Sequence, residues 1–355
     1  MDALMKMSAK FNIQAAANAC GLDWSRLDNK TLLITGATGL VGKRMIELIL
    51  ERNQLEKVCT KVVAVGRSRK KLEERFAAFA GDPCLEFYEH DVQEPWQYDE
   101  PVDYIFHMAS NTHPLQYAMD PIATEMTNIL GTHYLLALAA RNPGCRFVFT
   151  STTDIYGDNR TGKEFLEETD CGYIDCNTLR ANYIEGKRAS EALCNAYRKQ
   201  HGVDFVIGRI CRLFGDTMQM EDSKAVSSFI KNAAQGEDIL LKSAGTQIYS
   251  FLYVDDAVTG MLKIAAEGES GNAYNVAAND YRMTLMELAK TLAKIGGTKV
   301  TMGDLSANEK AGASGFQNAC LDGAKLASLG WKPAVPLVDG LRMTVDYLKT
   351  KAVNA

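Results

Sequence analysis

The hydrophobic and polar positions fall into a repeating pattern from residue 30 onward. "KTLLITGATGLVGKRMIELIL" reads as a buried strand, a glycine-rich turn and a helix. "KVVAVGRS" is a second strand and "KKLEERFAAFA" a helix. "LEFYEHDV" and "VDYIFHMAS" are a third and fourth strand, and "ATEMTNILGTHYLLALAA" a helix. "RFVFTSTTDIYG" is a fifth strand, followed by a helix around Tyr183 and the strand "DFVIGRICRLFG". Short apolar runs alternating with helical periods predict a parallel sheet covered on both faces, and so an α/β fold.

Past residue 212 the alternation weakens. "SSFIKNAAQG" is a helix, "DILLKS" a strand, "YSFLYVDDAVTGMLKIAAEG" a strand running into a helix, and "LMELAKTLAKIGG" a further helix. Asp255 or Asp256 is placed to cap the helix that follows "YSFLY". This part reads as a smaller lobe closing over the sheet's edge. Residues 1–29 form an N-terminal extension in which "NIQAAANAC" favours a short helix stopped by Gly21.

Composition narrows the class. The 355 residues are 46% hydrophobic and 23% charged, a mix that can bury a full core. The net charge of −5 gives no global basic field for nucleic acid, although Arg67-Ser68-Arg69-Lys70-Lys71 is a local basic cluster. No stretch approaches the ~20 apolar residues of a membrane span. The nine cysteines are scattered, without CxxC or zinc spacing, so no metal is expected. They suit free thiols in a reducing cytoplasm, including Cys171 and Cys176, which are close in sequence.

"TGATGLVG" sets Gly36, Gly39 and Gly42 directly between a strand and a helix. The first glycine permits the turn, the second lets backbone approach a pyrophosphate, and the third lets helix pack on strand. The helix N-terminus then favours negative charge, so this is a dinucleotide site. At the end of the second strand, where an acidic residue would take the ribose of NAD, Gly66-Arg67 stands instead. A guanidinium there suits the 2′-phosphate of NADP.

Together "TGATGLVG", "HDV", "HMAS", "TNILGT", "STTDIYG", "YIEGK", "FLYVDDAV" and "LGWKPAVPLVDGL" resemble the extended short-chain dehydrogenase/reductase family of nucleotide-sugar epimerases, dehydratases and decarboxylases. The resemblance implies a Rossmann, doubly wound parallel sheet with a smaller C-terminal α/β lobe. The Rossmann domain would span 30–211, with 250–275 returning to it. The substrate lobe would take 212–249 and 276–355. It also implies tightly bound NAD, against the hint of NADP at Arg67, a nucleotide-sugar substrate, and a homodimer pairing the helices near Asn128 and Tyr183. Nucleic acid and membrane are not expected partners.

Carried over by residue, the resemblance puts Thr38 and Leu40 with the three glycines around the cofactor. Asp91 would contact the adenine amino group, beside Val92. Ala109, Ser110 and Ser151 would line the cofactor at the ends of the fourth and fifth strands. Thr152 would be the hydroxyl of the catalytic triad, Tyr183 the base, and Lys187 the group that binds the nicotinamide ribose and lowers the tyrosine's pKa. The chemistry is sound. A free tyrosine titrates at about 10 and is a poor base at neutral pH. A cation one helical turn away favours the phenolate. Thr152 would stabilise charge on the substrate oxygen. Arg188 and Glu191 read as helix surface, and His107 and His113 as a strand-end and a loop histidine.

The triplet Thr152-Thr153-Asp154 bears on the reaction. The family's dehydratases carry Thr-Asp-Glu there, and Thr153 cannot supply an acidic proton. Its decarboxylases carry Thr-Ser-Glu, which Thr153 and Asp154 approach. Oxidation at the sugar's C4, decarboxylation and re-reduction is therefore the leading expectation. A C4 epimerase or reductase is the alternative, and a non-catalytic dinucleotide-binding protein a third reading. Two departures concern the substrate. Arg212 stands where the family has Asn, and Tyr249 where it has an Arg for the nucleotide diphosphate. Either Arg212 replaces the missing cation, or the pocket is remodelled for another substrate.

Overall fold

The computed structural model describes residues 21–112, 119–159, 162–304 and 316–353. The expected N-terminal helix "NIQAAANAC" and His113 lie outside these residues. The first strand, β1 (Thr31–Thr35), leads through the glycine turn into α1 (Leu40–Glu56). Next come β2 (Lys61–Gly66), α2 (Arg69–Arg75), β3 (Leu85–Glu89), β4 (Tyr104–His107), α3 (Pro121–Arg141) and β5 (Arg146–Thr152). Then follow α4 (Ala181–His201), β6 (Asp204–Ile210), β7 (Arg212–Phe214), α5 (Ala225–Gln235), β8 (Ile239–Leu241) and β9 (Ile248–Tyr253). The chain ends with α6 (Val254–Glu267), β10 (Asn272–Val276), β11 (Arg282–Thr284), α7 (Leu285–Gly296), β12 (Val300–Met302), β13 (Asn318–Ala319), α8 (Ala324–Ala327) and α9 (Leu337–Val353).

Seven strands form one parallel sheet in the order β10-β6-β5-β4-β1-β2-β3. This is a Rossmann sheet with one further strand, β10, at its edge. β1 shows why the strand reads as a continuous apolar run. Leu32 and Ile34 enter the core on one face and Leu33 the core on the other, so every residue after Thr31 is buried. The order reverses between β1 and β4, which opens a crevice at their carboxyl ends.

The run "DFVIGRICRLFG" is two strands. β6 belongs to the large sheet, whereas β7, after Cys211, pairs with β9 in a second sheet that also holds β11 and β13. β8 and β12 form a small parallel pair. The return to the large sheet is made by α6 and β10, Val254–Val276.

Two expectations are corrected, and a third feature is explained. Neither Asp255 nor Asp256 caps α6, whose N-cap is Tyr253 without a side-chain hydrogen bond. Asp255 instead receives Arg44 Nε and Nη2 at 2.5 and 2.8 Å, tying α6 to α1. Asp256 accepts the amides of Ala334 and Val335 at 2.7 and 3.2 Å, which anchors the C-terminal segment. Second, Cys59 and Cys84 are paired as a disulfide, with Cα atoms 6.0 Å apart. Each precedes a strand, and parallel pairing of β2 with β3 brings the two starts side by side. A sequence separation of 25 hides that proximity. Cys171 and Cys176 are free and exposed. Third, the basic cluster is the start of α2. Ser68 caps it, Arg69 pairs with Glu73, and Lys70 lies 3.9 Å from Glu74. No described helix is long and apolar enough to cross a membrane, and the described residues hold no group of His, Cys, Asp and Glu suited to a metal.

The Arg44–Asp255 pair is almost wholly out of water, with side chains 5% and 0% exposed. Asp255→Ala strands a buried guanidinium, and should lower the urea-unfolding free energy by about 3–5 kcal/mol. An unchanged midpoint would contradict the pair's burial.

Candidate functional site

The crevice begins at the glycine turn. Gly36 has φ +68°, and a Cβ on it would lie 2.8 Å from the Met108 carbonyl and the Ala109 amide. A Cβ on Gly42 would sit 2.4 Å from the Gly36 carbonyl oxygen. The turn is therefore closed against β4 on one side and against α1 on the other. Gly39 is the N-cap of α1, without a side-chain cap, so the helix's first amides are left to a ligand. This cradle fits a pyrophosphate. Ser151 Oγ, at the end of β5, is buried without a hydrogen-bond partner among the described residues, a further polar atom suited to a bound cofactor.

Thr35, absent from the sequence reading, fixes the switch point. Its hydroxyl oxygen accepts the Met108 and Ala109 amides, each at 3.2 Å, and lies 3.0 Å from His107 Nδ1. His107 is fully buried and burial holds its pKa well below the usual histidine range. It is a structural histidine, as expected. Ser110 Oγ donates to Asn128 Oδ1 at 2.9 Å, so the loop after β4 is tied to α3. Asp91 Oδ1 accepts the Gln93 amide at 3.0 Å, and Val92 is buried. Arg67 is exposed at the end of β2, and Thr38 and Leu40 are partly exposed on the turn.

The end of β5 meets α4. Thr152 and Tyr183 are hydrogen-bonded through their hydroxyls, and both are buried. Lys187, one turn further along α4, donates from Nζ to the Thr150 carbonyl at 2.8 Å and lies 4.6 Å from the Phe149 ring centroid. Burial pulls its pKa down to about 7, with Glu191 opposing. Burial pushes the Tyr183 phenol up to about 12, helped by the negative charge of Asp154. The bond to Thr152 and the charges of Arg212 and Arg180 oppose that rise. The expected lowering of the tyrosine's pKa by Lys187 is thus not seen in the protein alone, where burial sets the direction.

Thr153 and Asp154 form a short 3-10 turn after β5. The Thr153 hydroxyl donates to the Ile210 carbonyl at 3.0 Å and so braces β5 against the end of β6. Asp154 is 1% exposed. Its Oδ2 receives Arg180 Nη2 at 2.5 Å and its Oδ1 receives Arg212 Nη2 at 3.0 Å. Burial alone would raise its pKa, but Arg212 and Arg180 outweigh burial and hold it below the ordinary carboxylate range. It is a carboxylate, with no proton to give. Arg212 lies 5.2 Å from the Tyr249 ring centroid, so the two departures from the family pattern touch each other.

The sequence reading missed Arg180, the N-cap of α4 and the second partner of Asp154. It also misplaced Arg188 and Glu191. Glu191 binds Arg209 through two hydrogen bonds of 3.1 and 2.7 Å, and Arg209 in turn reaches the Tyr156 hydroxyl at 3.0 Å. Arg188 donates to the carbonyls of Ile155 and Gly172, both at 2.8 Å. Arg188 thus binds α4 to the segment that precedes it, and Glu191 binds it to β6. A signal was present: charges flanking an apolar helix stripe need buried partners when the helix packs on a sheet.

A model of the NAD dependent epimerase/dehydratase family matches residues 32–277. UDP-glucuronic acid decarboxylase 1 of Xenopus tropicalis is 34% identical over 92% of this chain and 73% of its own. UDP-glucuronic acid decarboxylase 3 of Arabidopsis thaliana is 32% identical over 91% of this chain and 90% of its own. Among solved structures, UDP-glucuronic acid 4-epimerase of Bacillus cereus, in complex with UDP-glucuronic acid and NAD, superposes with TM-score 0.75 at 21% identity, covering 90% of this chain and 99% of its own. UDP-glucose 4-epimerase of Thermotoga maritima, with UDP-glucose, gives 0.75 at 22% identity over 91% and 99%. With the family model spanning the whole switch-point crevice and its flanking strands, the chain belongs to the NAD dependent epimerase/dehydratase family.

Proposed function

We propose that this enzyme decarboxylates a nucleotide-linked uronic acid, UDP-glucuronate, to the corresponding pentose with release of CO2. One observation carries the reading: Thr152, Tyr183 and Lys187 assemble at the end of β5 beside the glycine-turn crevice. The choice of reaction is supported by the decarboxylases among its relatives. It is also supported by the Thr152–Asp154 turn, which offers no acidic proton for dehydration.

Gly36, Gly39 and Gly42 would hold the pyrophosphate of NAD, and Ala109, Ser110 and Ser151 would line the rest. Bound there, NAD supplies hydride removal at the sugar's C4 and its later return, and its positive ring favours the Tyr183 phenolate. Tyr183 takes the C4 hydroxyl proton. Thr152 holds that oxygen through the same hydroxyl that contacts Tyr183. Lys187, near its pKa at neutral pH, carries charge into a site where burial otherwise resists it. Once C4 is a ketone, the neighbouring carboxylate is that of a β-keto acid. It leaves as CO2, the electron pair left at C5 is held in the enolate of the C4 carbonyl, a proton from solvent quenches C5, and Tyr183 returns its proton to O4 when C4 is reduced again. A C4 epimerisation needs the same three groups and no loss of carbon, and product mass distinguishes the two.

We further propose that the enzyme is a homodimer; the Cys59–Cys84 disulfide removes the free-thiol argument for a cytoplasmic location. The pairing would use the outward faces of α3 and α4, where Ile122 is 75% exposed. Asn128 itself is buried within the chain, against Ser110, Thr124 and Ser190.

Incubation with UDP-glucuronate should give a product lighter by one CO2. Loss of water, or an isomer of unchanged mass, would overturn the reaction. Tyr183→Phe should lower kcat by about 10²–10⁴-fold, while full turnover would remove Tyr183 from the base's role. NAD should bind at least as tightly as NADP, and Arg67→Ala should weaken NADP by about tenfold while leaving NAD unchanged. A loss of NAD affinity would place Arg67 on the shared part of the cofactor.

Lys187 also makes a pH prediction for the cofactor-free protein. The folded state binds this proton less tightly than the unfolded chain does, so the unfolded chain holds the extra proton between about pH 7 and the ordinary lysine value. Stability from this group therefore rises with pH across that window. Urea unfolding at several pH values should show wild type gaining on Lys187→Met by up to about 1.4 kcal/mol per pH unit. A flat difference would mean that Lys187 titrates normally.

A further inference from the structure

We infer that Arg212, held between Asp154 and Tyr249, is the residue that reads an anionic group of the substrate, and that Asp154 is the positioning residue that presents it. This rests on the nucleotide-sugar reading above. The observations are charge, burial and placement. Asp154 is a buried carboxylate shared by two guanidiniums from different elements, Arg180 at the start of α4 and Arg212 at the start of β7. Lys224, the N-cap of α5, lies in the field of both Asp154 and Arg212, and its own partners are Asp222 Oδ2 at 3.3 Å and Thr112 Oγ1 at 3.2 Å. Asp154, Arg212 and Arg180 act electrostatically on Tyr183, so they border the reacting centre.

Arg212 is the cation placed to meet that anion. Its side chain is 24% exposed against 10% for Arg180, so it is the more open arm of the clamp. Asp154 fixes one edge of the guanidinium, whose carbon lies over the Tyr249 ring at 5.2 Å from its centroid. A guanidinium held this way is preorganised for a carboxylate or a phosphate oxygen. Tyr249 stands where the family pattern has an arginine. The cation has therefore moved to the adjacent strand, since β7 and β9 are paired. The chemistry shared by both possible sources, the uronate carboxylate and the diphosphate, is an oxyanion.

The test is binding, measured by calorimetry with NAD present, of UDP-glucuronate, UDP-glucose and UDP to wild type and variants. Arg212→Ala should weaken an anion-dependent ligand by about 10–100-fold. Loss confined to UDP-glucuronate identifies the carboxylate, and equal loss for all three identifies the diphosphate. Because Arg212→Ala leaves a buried aspartate short of one partner, Arg212→Gln with Asp154→Asn is made alongside it, and circular dichroism checks both. Unchanged affinity for all three ligands in a folded variant overturns the proposal. Asp154→Asn alone should repeat the ligand selectivity of Arg212→Ala and shift the Tyr183 limb of the kcat pH profile to lower pH without removing it. If it instead removes a limb of that profile with binding intact, Asp154 is an acid–base group and its positioning role is wrong. Since the readout is affinity, absence of CO2 release would overturn the proposed reaction without touching this result.

Discussion

The crevice depends on how tightly β1 and β4 are joined at the point where the strand order reverses. One hydroxyl, on Thr35, accepts two successive amides from the end of β4. Directly after it, Gly36 comes so close to the same segment that no side chain would fit. The β1–β4 ladder ends at Thr35 and His107, and this hydroxyl carries the join one step past it. The glycine at 36 is thus needed less for flexibility than for contact. With that join in place, the turn, the α1 N-terminus and the loop after β4 face one space.

Buried charge then sets the geometry around the space. Each of these ion pairs joins two different elements: Arg44 of α1 to Asp255 of α6, Arg209 of β6 to Glu191 of α4, and Asp154 to Arg180 and Arg212. Such pairs are poor net contributors to stability but costly to break. Their effect is to select one arrangement. Arg209 illustrates it, because besides Glu191 it holds the Tyr156 hydroxyl and the Glu168 carbonyl, and Tyr156 ends in turn on Asn275 of β10 at 2.6 Å. The stretch carrying Thr152–Asp154 is thereby braced from three sides. Tyr183 and Lys187 meet it from α4, whose inner face is secured by Ser190 to the Asn128 carbonyl at 2.9 Å.

What the sequence made legible was periodic or local. Alternating runs marked the large sheet, and the strand–glycine–helix order marked the crevice. Tyr183 and Lys187 could be paired because an α-helix puts them on one face. What stayed hidden was anything decided by a partner far along the chain. Arg180 and Glu191 look like surface charges until β5 and β6 are packed against α4. The continuous run from Asp204 to Gly215 gives no sign that the chain changes sheets at Cys211, since both strands are equally apolar. The short strands of the smaller lobe, two to three residues in β11, β12 and β13, carry too little pattern to read. Cys59 and Cys84 become neighbours only through strand pairing.

Arg212 and Tyr249 show how such hidden partners bear on substrate choice. Taken singly, an arginine for an asparagine and a tyrosine for an arginine read as one charge gained and one lost. Side by side on paired strands, they are one exchange, with the guanidinium lying over the ring that took its former place. The exchange also alters what a neighbouring acid can do. A carboxylate facing one cation and open solvent can take and give a proton near the usual range. Asp154, gripped by two guanidiniums in a dry site, cannot do so without leaving both of them uncompensated. A chain that moved its cation onto β7 therefore also committed Asp154 to structure. On the proposed reaction the proton chemistry would fall to the tyrosine, whose own pKa the same charges pull in opposite directions.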